Sequence, residues 1–179
     1  MSLPEPEFSR PVRLDCLGDR PKAMTLEANE AERAALAKRF GLIAIEALSG
    51  TVELVKRASG IGASGRIVAR ITQRCVATGE PVPAVIDEAF ALDFIEQRGV
   101  EAEEIELGED DLDTVEFEGQ AVDIGEALAQ TLALALEPFP RSADADAILK
   151  QAGVLSEEEA GPFSALADLK KALEGKPKG

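Results

Sequence analysis

The sequence predicts an α+β fold: a curled antiparallel sheet or partial β-barrel with flanking helices, over a single domain spanning residues 1–179. Three observations predict it. Strand-like segments dominate the first half and helical ones the second, the order expected of α+β chains. Two long alternating runs flank the turn signal Thr78-Gly79-Glu80-Pro81, as in a hairpin. Residues 113–126, DTVEFEGQAVDIGE, compress a strand, a turn and a helix start into fourteen positions.

In chain order, Pro4, Pro6 and Pro11 mark an irregular lead-in, and residues 1–8 are expected to be mobile. Residues 12–17 alternate and read as a short strand, and 24–28 as another. Residues 29–39 read as a helix, with Asn29 as N-cap, acids early, bases late and Gly41 as C-terminal cap, the arrangement that suits the helix dipole. Residues 43–58 form the next strand, with Gly50 a bulge or bend. Residues 59–65, SGIGASG, read as a flexible turn.

Residues 66–77 and 82–95 then pair across a two-residue Gly79-Glu80 loop, which suits a type II′ turn. That register sets Arg66 opposite Asp93 and Thr72 opposite Asp87. Period two places Arg66, Val68, Arg70, Thr72 and Arg74 on one face and Ile67, Ala69, Ile71 and Cys75 on the other. Ile86, Phe90, Leu92 and Phe94 share the apolar face.

Residues 96–113 are an acidic connector. Val115 and Phe117 then alternate with Thr114, Glu116 and Glu118 in a half-buried strand ended by Gly119. Asp123 and Glu126 form a capping-box-like start to a helix over 123–136, which stops at Glu137-Pro138. A short helix from Ser142 or Asp144 through Gln151 ends near Gly153. Phe163, Leu166, Leu169 and Leu173 make a helical stripe over 163–173, and the end, 174–179, is expected to be mobile.

Composition narrows the chemistry. The chain has no histidine, which removes the commonest general base and transition-metal ligand. Its two cysteines, Cys16 and Cys75, cannot close a four-ligand zinc site alone and fit a reducing, cytoplasmic setting without a disulfide. No membrane-spanning run, signal peptide or nucleotide-binding glycine motif is present in the sequence. No cofactor, metal or small-molecule substrate is expected.

The net charge of −15 is unevenly spread. Residues 1–75 carry a net of +3, whereas 76–140 carry 18 acids and one base, Arg98. Such a centre repels bare nucleic acid and attracts basic partners. Within it, Glu103, Glu104, Asp110 and Asp111 are candidate contacts to a basic protein. Glu109, Asp111 and Asp113 have the spacing that opens a calcium loop, but Thr114 stands where glycine is needed and Gln120 where the bidentate glutamate belongs. Arg66, Arg70 and Arg74 form a basic stripe, with Lys56 or Arg57 as neighbours, for phosphate contact; alternate strand residues stand about 6.6–7 Å apart. The competing reading is a charged solvent face neutralised by Asp87 and Asp93. No aromatic side chain interleaves the arginines, so base stacking has no support. Cys75 reads as a small buried apolar residue rather than a nucleophile.

Three segments carry a resemblance: GRIVARITQRCVATGEPV, VEFEGQAVDIGEALAQTLALALEPFPR and FSALADLKKAL. Together they are similar to the bacterial YceD family over about residues 40–173, with Cys75, Glu116, Asp123 and Glu126 on motif positions. The resemblance implies a non-enzymatic cytoplasmic factor supporting accumulation of large-subunit ribosomal RNA. A basic ribosomal protein or assembly factor is then the expected partner, with ribosomal RNA a further one and no membrane. Many YceD proteins carry C-x-x-C in the first segment and more cysteines after the central helix. Here Thr72 replaces the first of the pair, Cys75 keeps the second, and PRSAD lacks cysteine, so no metal site carries over. Two other classes stay open: an enzyme using a carboxylate pair or Cys75, and an acidic nucleic-acid mimic.

Overall fold

The computed structural model describes residues 6–18, 20–57, 60–96 and 113–154. Its elements in order are strand β1 (Pro11–Arg13), a 3-10 turn (Leu14–Cys16), strand β2 (Lys22–Glu27), helix α1 (Glu30–Phe40), strands β3 (Ala44–Arg57), β4 (Gly60–Arg74), β5 (Pro81–Glu96), β6 (Asp113–Phe117) and β7 (Ala121–Asp123), and helices α2 (Ile124–Leu134) and α3 (Ala145–Gln151). β2 to β6 form one five-stranded sheet in sequence order, and β1 pairs with β7 in a separate two-stranded sheet. Neither sheet closes, so the partial barrel is corrected to an open sheet. The sheet is also mixed: β2 to β5 are antiparallel neighbours, but β6 runs parallel to β5.

The capping chemistry falls where the sequence places it. Asn29 Oδ1 accepts from the Glu32 amide at 3.0 Å, and Glu32 Oε2 accepts from the Asn29 amide at 2.7 Å. Gly41 closes α1 in the left-handed region at φ 67°, a conformation glycine adopts without steric cost. Asp123 Oδ1 accepts from the Glu126 amide at 3.1 Å. The reciprocal half of that box is absent, because the Glu126 carboxylate instead takes both Arg39 Nη groups, at 2.9 and 2.7 Å.

The core lies on one face of the large sheet. Leu36 of α1 and Ile124, Leu128 and Leu132 of α2 pack there with Leu48, Val52, Leu54, Ile67, Ile71 and Phe94. Gly50 is not a bulge. It leaves room for α2, since a β-carbon there would stand 2.8 Å from Leu128 Cδ1. The bulge sits earlier, between Ile45 and Ala47, and Glu46 is exposed there. The segment expected as a flexible turn, 59–65, is strand from Gly60 onward. The reversal is tighter than expected, since Arg57 already pairs with Gly60, and the later glycines allow close backbone approach instead: a β-carbon at Gly65 would collide with the Thr51 carbonyl oxygen.

The N-terminal segment is tied to the start of α2. Phe8, at the inner end of the lead-in, is fully buried. Asp123 Oδ1 accepts from the Arg10 amide at 2.7 Å, and its Oδ2 accepts from the Ser9 hydroxyl. Strand β1 ends sooner than expected, with residues 14–16 turning into 3-10 helix. α3 spans 145–151 with Gly153 at φ 83° after it, as the sequence predicts. The stripe at 163–173 lies outside the described residues.

Candidate nucleic-acid and partner interface

Opposite the core, the sheet has a second face on which no described element packs. β4 runs through its middle and alternates as its sequence dictates: Ile67, Ala69 and Ile71 are buried, whereas Arg66, Val68, Arg70 and Arg74 are exposed. The three arginines therefore share one face, as predicted. They stand four positions apart, about 13 Å between neighbours, so they match alternate rather than successive positions at the spacing considered above.

The register differs from the expected one. Arg74 pairs with Pro81 and Arg66 with Ala89, and the loop between β4 and β5 is residues 75–80. Gly79 takes the left-handed conformation at φ 77°, and its amide donates to the Cys75 carbonyl at 2.9 Å. The longer loop shifts β5 by an even number of residues, which changes partners but keeps faces. Asp87 and not Asp93 is the carboxylate beside Arg66, at 2.5 Å, and Asp93 pairs with Arg57. Arg57 Nη1 lies 2.8 Å from both Asp93 oxygens, with hydrogen-bond geometry to Oδ2. The hydrogen bond from Arg66 holds the Asp87 carboxyl below its usual range. In a double-mutant cycle, Arg66 and Asp87 are expected to show a small favourable coupling that fades with salt. Arg66 and Asp93 should be additive; coupling between that second pair in thermal melts would contradict the register.

The stripe divides by partner. Arg66 and Arg57 are neutralised. Among the described residues, Arg74 donates only to the Gly79 carbonyl, at 3.3 Å, and Arg70 has no hydrogen bond or ion pair. Val85, directly across from Arg70, is 70% exposed, and Val68 is 41% exposed. Arg70, Arg74, Val68, Val85 and Pro83 thus make a cationic and apolar patch at one end of the open face. Such a patch can pair with phosphate or carboxylate while covering an apolar group. Lys56 lies at the far end of β3, on the core-facing parity, and does not join it.

At the same end of β4, the chain after α2 folds back onto the hairpin. Buried Gln73 donates to the Glu137 carbonyl at 2.9 Å, and the Val76 amide donates to the Pro140 carbonyl at 2.9 Å. Cys75 is buried, as predicted. Its Sγ accepts from the Ser142 amide at 3.3 Å and from the Ser142 hydroxyl at 3.6 Å. Hydrogen bonds from the Thr78 side chain and then the Ser142 amide pull its thiol down to about 6. Sequence reasoning missed Ser142, because nothing local announces a contact between segments so far apart. Thr72 turns elsewhere, donating to Glu46 Oε1 at 2.7 Å. Cys16 is exposed. Among the described residues, no group of three or more His, Cys, Asp or Glu side chains is placed to hold a metal ion.

The thiol has a consequence for stability. Its folded value lies below the unfolded one, so the unfolded chain binds the extra proton between them. Stability should therefore rise as pH increases from about 6 toward the ordinary thiol range, and flatten above it. Cys75→Ala should remove that slope, as read by denaturant midpoints across this range; an unchanged slope would show that another group titrates.

Of the other predicted site residues, Glu116 is exposed on β6, between half-buried Val115 and Phe117. Asp123 caps α2, and Glu126 faces Arg39. Glu103, Glu104, Asp110 and Asp111, with the calcium-like spacing at 109–113, belong to a segment of which 97–112 lies outside the described residues. A family model described as large ribosomal RNA subunit accumulation protein YceD matches residues 63–170, more than half of the chain. The chain belongs to the YceD family. Comparison with curated proteins found no match, and neither did comparison with solved structures. The YceD match takes in β4 from Ala63 onward, the Cys75 hairpin, β5 to β7, α2 and α3. Where cysteine-rich YceD proteins have their additional cysteines, this chain has Thr72 and the Ser142 segment. The structure brings Ser142, though not Thr72, to Cys75 by hydrogen bonding.

Proposed function

We propose that this protein is a non-enzymatic cytoplasmic factor that supports accumulation of large-subunit ribosomal RNA through contacts with ribosomal components. The observation that carries this reading is the YceD match over residues 63–170. The described helices fit it in one limited respect: none is long and apolar enough to cross a membrane. The acidic centre engages a basic ribosomal protein or assembly factor, by charge complementarity that speeds encounter. Arg70 and Arg74, the arginines of the stripe that no described carboxylate neutralises, contact ribosomal RNA once the protein is held there. Arg66 contributes less, because Asp87 already occupies it.

Deletion of the gene should lower mature large-subunit RNA relative to small-subunit RNA. An unchanged ratio in a clean deletion overturns the reading. Complementation then separates the two surfaces. Glu103, Glu104, Asp110 and Asp111 changed to amides should weaken partner binding and flatten its salt dependence. Arg70→Glu with Arg74→Glu should leave that binding intact but reduce crosslinking to RNA. If the amide variant keeps wild-type affinity and salt slope, the acidic belt is only a solubilising surface.

A further inference from the structure

β6 pairs with β5 only from Leu92 to Glu96. From Pro81 to Ala91, β5 has β4 on one side and no described strand on the other. A groove of about 580 Å³ lies at this bare edge, walled by Glu88–Leu92 of β5, Thr114 and Val115 of β6, and one side of α2. Successive strand residues point to opposite faces. Five consecutive residues therefore reach a groove only where it meets the strand's edge, whose amides and carbonyls pair with no described strand from Pro81 to Ala91. Leu134, at the end of α2, forms part of the far wall and is 82% exposed.

The groove's charge is of one sign: Glu88 is the one charged side chain among its described lining residues, and neither β5, β6 nor α2 carries Lys or Arg. Asp87, Asp93 and Glu126 are taken by arginines, but Glu88, in the groove itself, has no ion pair with a described residue. From these observations we infer that the groove between α2 and the bare edge of β5 takes an extended basic segment of a partner protein, which adds as a strand beside residues 81–91. Main-chain hydrogen bonds to the edge supply register, and side chains on one face of the added strand fill alternate positions. An apolar residue sits against Leu134 and Phe90, and a basic one sits against Glu88. The sign of the partner rests on the ribosomal reading above, whereas the slot rests on the pairing pattern alone.

The test uses the full chain and a fluorescein-labelled nine-residue peptide alternating lysine and valine. Saturable binding by anisotropy is expected at low salt. Glu88→Lys combined with Leu134→Lys, at two exposed positions whose change leaves the core intact, should weaken it about tenfold. A peptide N-methylated along one edge, with the same charge, should weaken similarly because it cannot complete the ladder. Three outcomes overturn the inference: no saturable binding, equal binding by the double variant, or equal binding of the N-methylated peptide, which would mean charge attraction alone. Binding that appears only after residues 97–112 are replaced by a Gly-Ser linker also overturns it and assigns the slot to the chain's own connector. A ribosomal RNA defect on deletion without peptide binding would sink this slot and leave the proposed role standing.

Discussion

Leu128→Ala is expected to cost about 3 kcal/mol of unfolding free energy. Leu128 is 1% exposed and inserts its branched end over Gly50. Truncation removes apolar contact and leaves a void that a rigid sheet cannot close. Gly50→Ala should destabilise by a different route, because the new β-carbon would press on Leu128 Cδ1 and Cδ2 at 2.8 and 2.9 Å; about 1–2 kcal/mol is expected for such overpacking. The two changes should compensate. In the Leu128→Ala background the methyl at position 50 enters the void, so Gly50→Ala should become neutral or favourable. Urea unfolding of the four proteins tests this, and strictly additive losses would mean that α2 does not sit over Gly50.

Asp123→Ala should cost about 2–3 kcal/mol, the sum of two effects. The N-cap itself contributes about 1 kcal/mol. The remainder comes from the Arg10 amide, which donates to Asp123 at 2.7 Å and would be left without an acceptor. Asp123→Asn keeps an acceptor oxygen toward both the Glu126 and Arg10 amides, so most of the loss should be recovered. Equal losses for the two variants, measured by denaturant titration, would show that charge and not acceptor geometry matters. Either way, this family-motif residue has a structural role, because it fastens the N-terminal segment to the start of α2. The same junction excludes any side chain at Gly125, where a β-carbon would collide with the Phe8 carbonyl oxygen.

Much of this was legible because it is local. Asn29 with Glu32, Gly41 and Asp123 mark helix ends through hydrogen bonds within a few residues. The alternation of β4 shows which face carries Arg66, Arg70 and Arg74 whatever the partner strand does. The register was not legible. It depends on where the loop closes, and TGEP supports a two-residue turn as readily as the longer 75–80 loop. The parallel direction of β6 has no local signature either, since Val115 and Phe117 alternate identically in both directions. SGIGASG misled for a physical reason: glycine permits turns, but it also permits the close backbone approach seen at Gly65. Of the candidate site, the arginine face was readable, whereas the split between Arg66, paired with Asp87, and Arg70, with no described carboxylate beside it, required the register. The Ser142 contact to Cys75 and the bare edge of β5 required the tertiary fold.

The pairing of β1 with β7 sets an order of events during synthesis. Arg10 and Asp123 are 113 positions apart in sequence, yet they meet at one junction, and Phe8 is buried beside it. A nascent chain emerging from the ribosome can pair β2, β3 and β4 as soon as each appears. It cannot dock its first strand, bury Phe8 or seat Leu128 over Gly50 until α2 has left the exit tunnel. Until then one apolar face of the early sheet is exposed, and the N-terminal segment waits for a partner made more than a hundred residues later. Vectorial synthesis therefore gives this protein a late, concerted closing step. Stalled chains that end before residue 121 should hold a protease-sensitive N-terminus, whereas chains carrying α2 beyond the tunnel should protect it.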